Sequence, residues 1–118
     1  MAKRKIIALA SLLLLLQISF DETLFSSRKD TEIKLEQNFP NPFEAQTTIR
    51  YFLPKNTDVS LSIYDMREDK RQILVDEFQF QGQHEVVFNG SGYLPGIYFY
   101  RLKTDETRPQ VKKMLKFN

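Results

Sequence analysis

The sequence predicts an all-β domain, a seven-stranded antiparallel β-sandwich of immunoglobulin-like type, and three observations carry that prediction. From Thr47 onward apolar residues recur at every second position, with no helical period of useful length between them. Turn signals fall at spacings of roughly 8 to 12 residues, the interval that separates strands in sandwiches and small barrels. Ten Phe and five Tyr, with no cysteine, make large rings rather than disulfides the source of stability. A folded unit of under ~90 residues buries only about 60% of its unfolded surface, so its core depends on such side chains.

The elements follow in order. A short strand is expected at about Ile33 to Gln37. It lies within the stretch that opens the domain, Leu35 to Pro54 (LEQNFPNPFEAQTTIRYFLP). Phe39-Pro40 and Asn41-Pro42 hold their first residues in extended or turn conformations and deny the segment helix. Phe39 and Phe43 flank this stiffened turn, and both rings are expected to press onto a hydrophobic surface built downstream. Thr47, Ile49, Tyr51 and Leu53 share one strand face, Thr48, Arg50 and Phe52 the other, and Pro54 closes the run. The turn Lys55 to Asp58 is expected to fold this strand into a hairpin with the next, where Val59, Leu61 and Ile63 alternate with Ser60, Ser62 and Tyr64.

The charged, glycine-free turn Asp65 to Arg71 leads to a strand carrying Ile73, Val75, Phe78 and Phe80, with a bulge expected where Asp76 and Glu77 break phase. In the next strand His84, Val86 and Phe88 share a face. The loop Asn89-Gly90-Ser91-Gly92 then offers residues that readily adopt positive φ. Gly96 to Thr104 is the strongest strand, and aromatics on both of its faces predict a central position. In the last strand Val111, Lys113, Leu115 and Phe117 alternate with Lys112, Met114 and Lys116. Lys and Arg outnumber Asp and Glu six to two from 101 to 118, which reads as a solvated strand face rather than a polyanion site.

The N-terminus has a different character. Lys3, Arg4 and Lys5 precede fifteen residues, Ile6 to Phe20, in which only Ser11, Gln17 and Ser19 are polar. That is the basic and apolar pattern of a secretory signal peptide, shorter than the ~20 apolar residues of a membrane span. Residues 1–20 are therefore read as a signal peptide, 21–32 as a polar linker and 33–118 as the domain. Without the signal, 14 basic residues face 15 acidic ones, a net charge of −1, so the basic whole-chain balance is no argument for nucleic acid.

Catalytic and cofactor chemistry finds little support. His84 is the sole histidine and has no nucleophile elbow near it, so a structural role is expected. Asp65, Glu68 and Asp69 lack the spacing of a calcium loop, and no glycine-rich phosphate loop is present. No enzyme activity, metal, cofactor or small-molecule substrate is expected. Asn89-Gly90-Ser91 fits a glycosylation sequon, but turn formation explains the same residues.

A resemblance gives these pieces a role. Leu35, Gln37-Asn38-Phe39-Pro40-Asn41-Pro42-Phe43, Thr47 to Tyr51 and Leu53-Pro54 resemble the opening of the type A C-terminal sorting domain of the type IX (Por) secretion system. Val59, Leu61, Ile63-Tyr64-Asp65, then Gly82, His84, Val86 and Phe88, then Leu94, Gly96 to Leu102 and Lys112 to Leu115 follow in that family's order. The resemblance implies an immunoglobulin-like sandwich that addresses an exported protein. Such a protein passes the inner membrane, transits the periplasm, engages an outer-membrane translocon and reaches the cell surface or the extracellular space. It also implies a sortase-like protease that cuts in the linker, for which Arg28, Lys29 and Lys34 are the candidate region.

The expected recognition residues are Asn38, Pro40, Asn41, Pro42 and Phe43 with Lys112, Lys113, Met114, Leu115 and Lys116; of these, Phe43 and Leu115 are expected to serve packing. A monomer is expected. Two departures stand out: Glu44-Ala45 replaces the family's usual Asn-Pro, and Met66 to Lys70 lacks the usual Gly-Arg of the hairpin. Only about twelve residues separate the signal from the domain, so the chain reads as a sorting domain almost without cargo. The alternative is a small exported immunoglobulin-like structural or adhesion module.

Overall fold

A computed structural model describes residues 31–118; residues 1–20, read above as a signal peptide, and Arg28 and Lys29 lie outside the described residues. Ile33–Asn118 form one compact unit. It contains β1 (Lys34–Leu35), β2 (Gln46–Leu53), β3 (Thr57–Tyr64), β4 (Lys70–Gln79), β5 (Gly82–Asn89), β6 (Gly96–Thr104) and β7 (Gln110–Lys116). These make a three-stranded sheet in the order β1-β2-β5 and a four-stranded sheet in the order β4-β3-β6-β7. Every neighbouring pair is antiparallel. The all-β sandwich read from the alternation is the observed architecture.

Period-two patterning explains the core. Ile49, Tyr51 and Leu53 of β2 face Val59, Leu61 and Ile63 of β3 and Tyr98, Tyr100 and Leu102 of β6, all buried, with Phe88 and Met114 filling the ends. β6 lies between β3 and β7, as its aromatic faces predicted.

Several expectations are corrected. β2 and β3 are not a hairpin, because they belong to different sheets. Each has a largely apolar inner face, and the two faces are satisfied by meeting across the core rather than side by side. Pro54, Lys55 and Asn56 carry the chain from one sheet to the other, and Asn56 Oδ1 accepts a hydrogen bond from the Gln81 N–H (2.9 Å), tying this crossing to the link between β4 and β5. The bulges of β4 lie elsewhere than Asp76 and Glu77: Leu61 pairs with Val75 but Ser62 with Ile73, and Ile63 with Gln72 but Tyr64 with Lys70, so Leu74 and Arg71 are the extra residues. Ile73, Phe78 and Phe80 consequently stay exposed instead of continuing a buried face. β1 is shorter than the expected strand, although Phe39 still exchanges two backbone hydrogen bonds with Thr48.

The last strand is turned over relative to its expected solvated basic face. Met114 and Lys116 point inward and are buried, while Val111, Lys113, Leu115 and Phe117 are exposed. Leu115, expected to pack, is 37% exposed.

Candidate functional site

The opening turn is built around one buried amide. Asn38 is 2% exposed. Its backbone N–H donates to the Tyr100 hydroxyl at 2.8 Å, and that hydroxyl donates onward to the Glu36 carbonyl at 2.6 Å. The Asn38 side chain donates to Thr47 Oγ1 (2.9 Å) and to the Pro40 carbonyl (3.2 Å), and accepts from Gln37 Nε2 (2.7 Å). Thr47 Oγ1 in turn donates to the Pro40 carbonyl at 2.8 Å. A buried amide must satisfy most of its hydrogen-bonding capacity, and this arrangement does so while fixing the turn. Pro40 and Pro42, each following a cis peptide bond, bring no N–H that would need a partner.

The same segment covers the free edge of β7. Asn41 Oδ1 accepts from the Leu115 N–H (2.9 Å), and Gln37 Nε2 donates to the Lys113 carbonyl (2.7 Å). Phe43 donates its N–H to the Leu115 carbonyl and accepts from the Phe117 N–H, both at 3.0 Å, as one residue of a parallel strand would. Side-chain amides and one backbone residue thus occupy the edge that another chain could otherwise pair with. Lower down, Gln110 donates to the Ile33 carbonyl (2.9 Å) and accepts from the Leu35 N–H (3.1 Å), closing β7 against β1.

The two rings of the turn divide. Phe43 is 1% exposed and meets Phe88 edge-on at 5.9 Å, starting a run of edge-on contacts through Tyr93 to Tyr98. Phe39, expected to pack as well, is 78% exposed. It sits opposite Thr48, a residue of the outward face of β2, so its ring points away from the core. Lys116, at 6% exposure, is held by its Nζ donating to the carbonyl of Glu44 (2.6 Å), the first residue of the Glu44-Ala45 pair.

The structure therefore joins the two predicted groups but separates their members. Pro40, Asn41, Pro42 and Lys113 are exposed, Lys112 is half-buried, and Asn38, Phe43, Met114 and Lys116 are buried supports. Lys34 is exposed at the start of β1. Sequence reasoning placed Gln37 in the opening signature without a role and passed over Gln110; neither carries a local signal that a distant strand edge needs it. It also misread Gly90, where the need is room: a Cβ there would lie 2.9 Å from Phe43 Cε2.

Over residues 37–116 the sequence matches the family described as "Secretion system C-terminal sorting domain". The chain belongs to this family. It carries a C-terminal sorting signal of type IX secretion, and such a domain engages that secretion machinery for export to the cell surface or the extracellular space. No curated protein matches the chain. Among solved structures it is similar to a β-glucosidase from Listeria innocua in complex with glucose (13% identity, TM-score 0.45, covering 74% of this chain and 16% of that one). The same enzyme in complex with isofagomine gives 13% identity and a TM-score of 0.44, covering 72% and 16%.

The rest of the sorting domain shows how its polar groups are used. His84 stacks on Tyr51 at 5.3 Å, and its Nε2 lies 2.7 Å from the Phe80 carbonyl. Among the described residues no group of His, Asp and Glu is placed to hold a metal. Burial pushes the Tyr100 hydroxyl up to about 12 despite its backbone hydrogen bond, and burial does the same to Tyr51, whose hydroxyl donates to Gln79 Oε1 on β4. An open groove of about 630 Å³ between Tyr64, Met66, Phe99 and Val111 marks the outer face of the four-stranded sheet.

Proposed function

We propose that the secretion machinery reads the exposed rim of the opening turn together with the outward face of β7: Pro40, Asn41, Pro42, Lys113, Leu115 and Phe117. The carrying observation is that Asn41 and Leu115, 74 residues apart in sequence, share a hydrogen bond, which makes one surface from the two signature segments. A rim of two prolines and a clamped strand loses little entropy on docking, which favours its use as an address. Asn38, Phe43, Met114 and Lys116 hold this surface from within, with Lys112 half-buried between the two groups.

In this reading residues 1–20 take the chain through the inner membrane and into the periplasm, and an outer-membrane translocon then engages the domain, which does no chemistry of its own. A sortase-like protease cuts in the linker at Arg28 or Lys29. Lys34 is the poorer position, because its pairing with Phe52 would have to open before a protease could take the chain.

The test inserts a reporter into the linker of the full chain in a host that has this secretion system. The parent fusion is expected at the surface or in the medium, and the Lys113→Glu, Leu115→Asp double variant is expected to remain periplasmic with an unchanged circular dichroism spectrum. Export of the folded double variant at the parent level would exclude this surface.

A further inference from the structure

A sandwich of two open sheets has four edges, and here three are protected. β7 is covered by the opening turn. β1 is two residues long and lies behind the Gln110 clasp. β4 carries bulges at Leu74 and Arg71 and displays Lys70, Asp76 and Glu77, the features by which edge strands refuse partners. β5 has no bulge, and its one exposed charge, Glu85, is already paired with Arg50 of β2 at 2.9 Å. It pairs with β2 residue for residue from Gly82 to Asn89 without a register break, ends its sheet, and contains no proline, Lys or Arg. Beside it lies an outward row fixed by register: Val87, 57% exposed, then the half-buried Thr48, then the exposed Phe39.

The geometry points to β5 as a pairing edge for a second copy of this chain, antiparallel about Val86, joining two three-stranded sheets into one. The strand's own sequence selects that occupant and register. Opposed residues in an antiparallel pair share a face, so inward residues must meet inward ones and the two-fold axis must pass through a residue. An axis at Glu85 would set two carboxylates directly opposite each other, a destabilising arrangement. An axis at Val86 instead sets Glu85 against Val87, His84 against Phe88 and Gln83 against Asn89, matching face to face along nearly the whole strand. An axis at Val87 matches only Glu85 to Asn89. This dimer replaces the expected monomer and stands apart from the sorting role.

The described residues and the whole sequence contain no cysteine, so single cysteines can report the pairing in the intact chain. Directly opposed Cβ atoms lie about 4.5–5.5 Å apart, close to disulfide reach, whereas a residue two positions from the axis lies about 13 Å from its own copy. Under mild oxidation Val86→Cys is expected to give the highest yield of disulfide-linked homodimer, well above His84→Cys, Phe88→Cys and an exposed control, Lys55→Cys. Adding Val87→Glu, which opposes Glu85 at both symmetric places, is expected to abolish that yield, while Val87→Thr preserves it. A Val86→Cys yield no greater than that of Lys55→Cys, a maximum elsewhere along β5, adducts with other proteins only, or persistence of the crosslink with Val87→Glu would each overturn the proposal.

Discussion

The two long sides of the sandwich are built differently. On the β1/β7 side Gln37, Asn41, Phe43 and Gln110 reach across from one sheet and satisfy the backbone of the other. On the β4/β5 side the hydrophobic residues Ile73, Phe78, Phe80 and Val87 face solvent, and the contacts are looser: the Tyr51 hydroxyl on Gln79, the Tyr93 hydroxyl on Gln72, and Gln81 on Asn56. The first side is closed by polar side chains that serve distant backbone groups, while the second is guarded at β4 alone, by bulges and charge. Specific sequence is spent where a strand edge must be covered, and the opening signature is that cover.

The contrast is sharpest between two phenylalanines. Phe43→Ala removes a ring that is 1% exposed and seated between Phe88 and Gly90, and it is expected to cost about 3–5 kcal/mol in urea unfolding. Phe80→Ala, at 69% exposure, is expected to stay within about 0.5 kcal/mol. Equal losses at the two positions would show that the sides do not differ in the way described.

The paired tyrosines sharpen it further. The Tyr100 hydroxyl joins the Asn38 N–H to the Glu36 carbonyl, so Tyr100→Phe leaves two backbone groups wanting and is expected to cost about 1–3 kcal/mol. Tyr51→Phe frees only Gln79, whose amide can turn to water, and is expected to cost less. Both phenols are pushed up to about 12 from an ordinary 10.0. The unfolded chain ionises first on raising pH, so stability is full below pH 10 and falls between pH 10 and about 12. Phenolate absorbance is expected to show Tyr51 and Tyr100 resisting ionisation in the native protein until that range.

Alternation made the strands and most of the core legible, because a strand with one buried face must repeat every second residue. Residues 47 to 53 were readable to the single side chain for that reason, and so were Val59, Leu61 and Ile63, whereas Ser62 of the opposite face is buried too. Sheet membership was not: a three-residue crossing and a hairpin turn look alike in sequence, and only the need to bury both inner faces decides between them. The turn was legible as stiff and aromatic, but nothing local told Phe43 from Phe39. The difference comes from Phe39 lying opposite an outward residue of β2 while Phe43 bridges to Lys116. For the same reason Leu115 seemed fit for the core and Lys116 for the surface. The opposite holds, since a long Lys stem can pack inward with its amine on a carbonyl.

A smaller effect, of opposite sign, is expected at the β3–β4 turn, where the family's usual glycine is missing. Asp65 organises that turn, its Oδ1 accepting from the Arg67 N–H at 2.9 Å and the Asp69 N–H at 3.0 Å. Glu68 closes it in the left-handed region at φ 65°. A residue with a Cβ pays about 1–2 kcal/mol there, and glycine avoids this while losing part of the gain to its freer unfolded chain. Glu68→Gly is therefore expected to stabilise the domain by about 0.5–1 kcal/mol in urea unfolding. Because β4 is the looser and already bulged edge, the gain should appear as slower amide exchange in β4 and not in β7. Equal slowing in both strands would mean that the two sides of the sandwich open together.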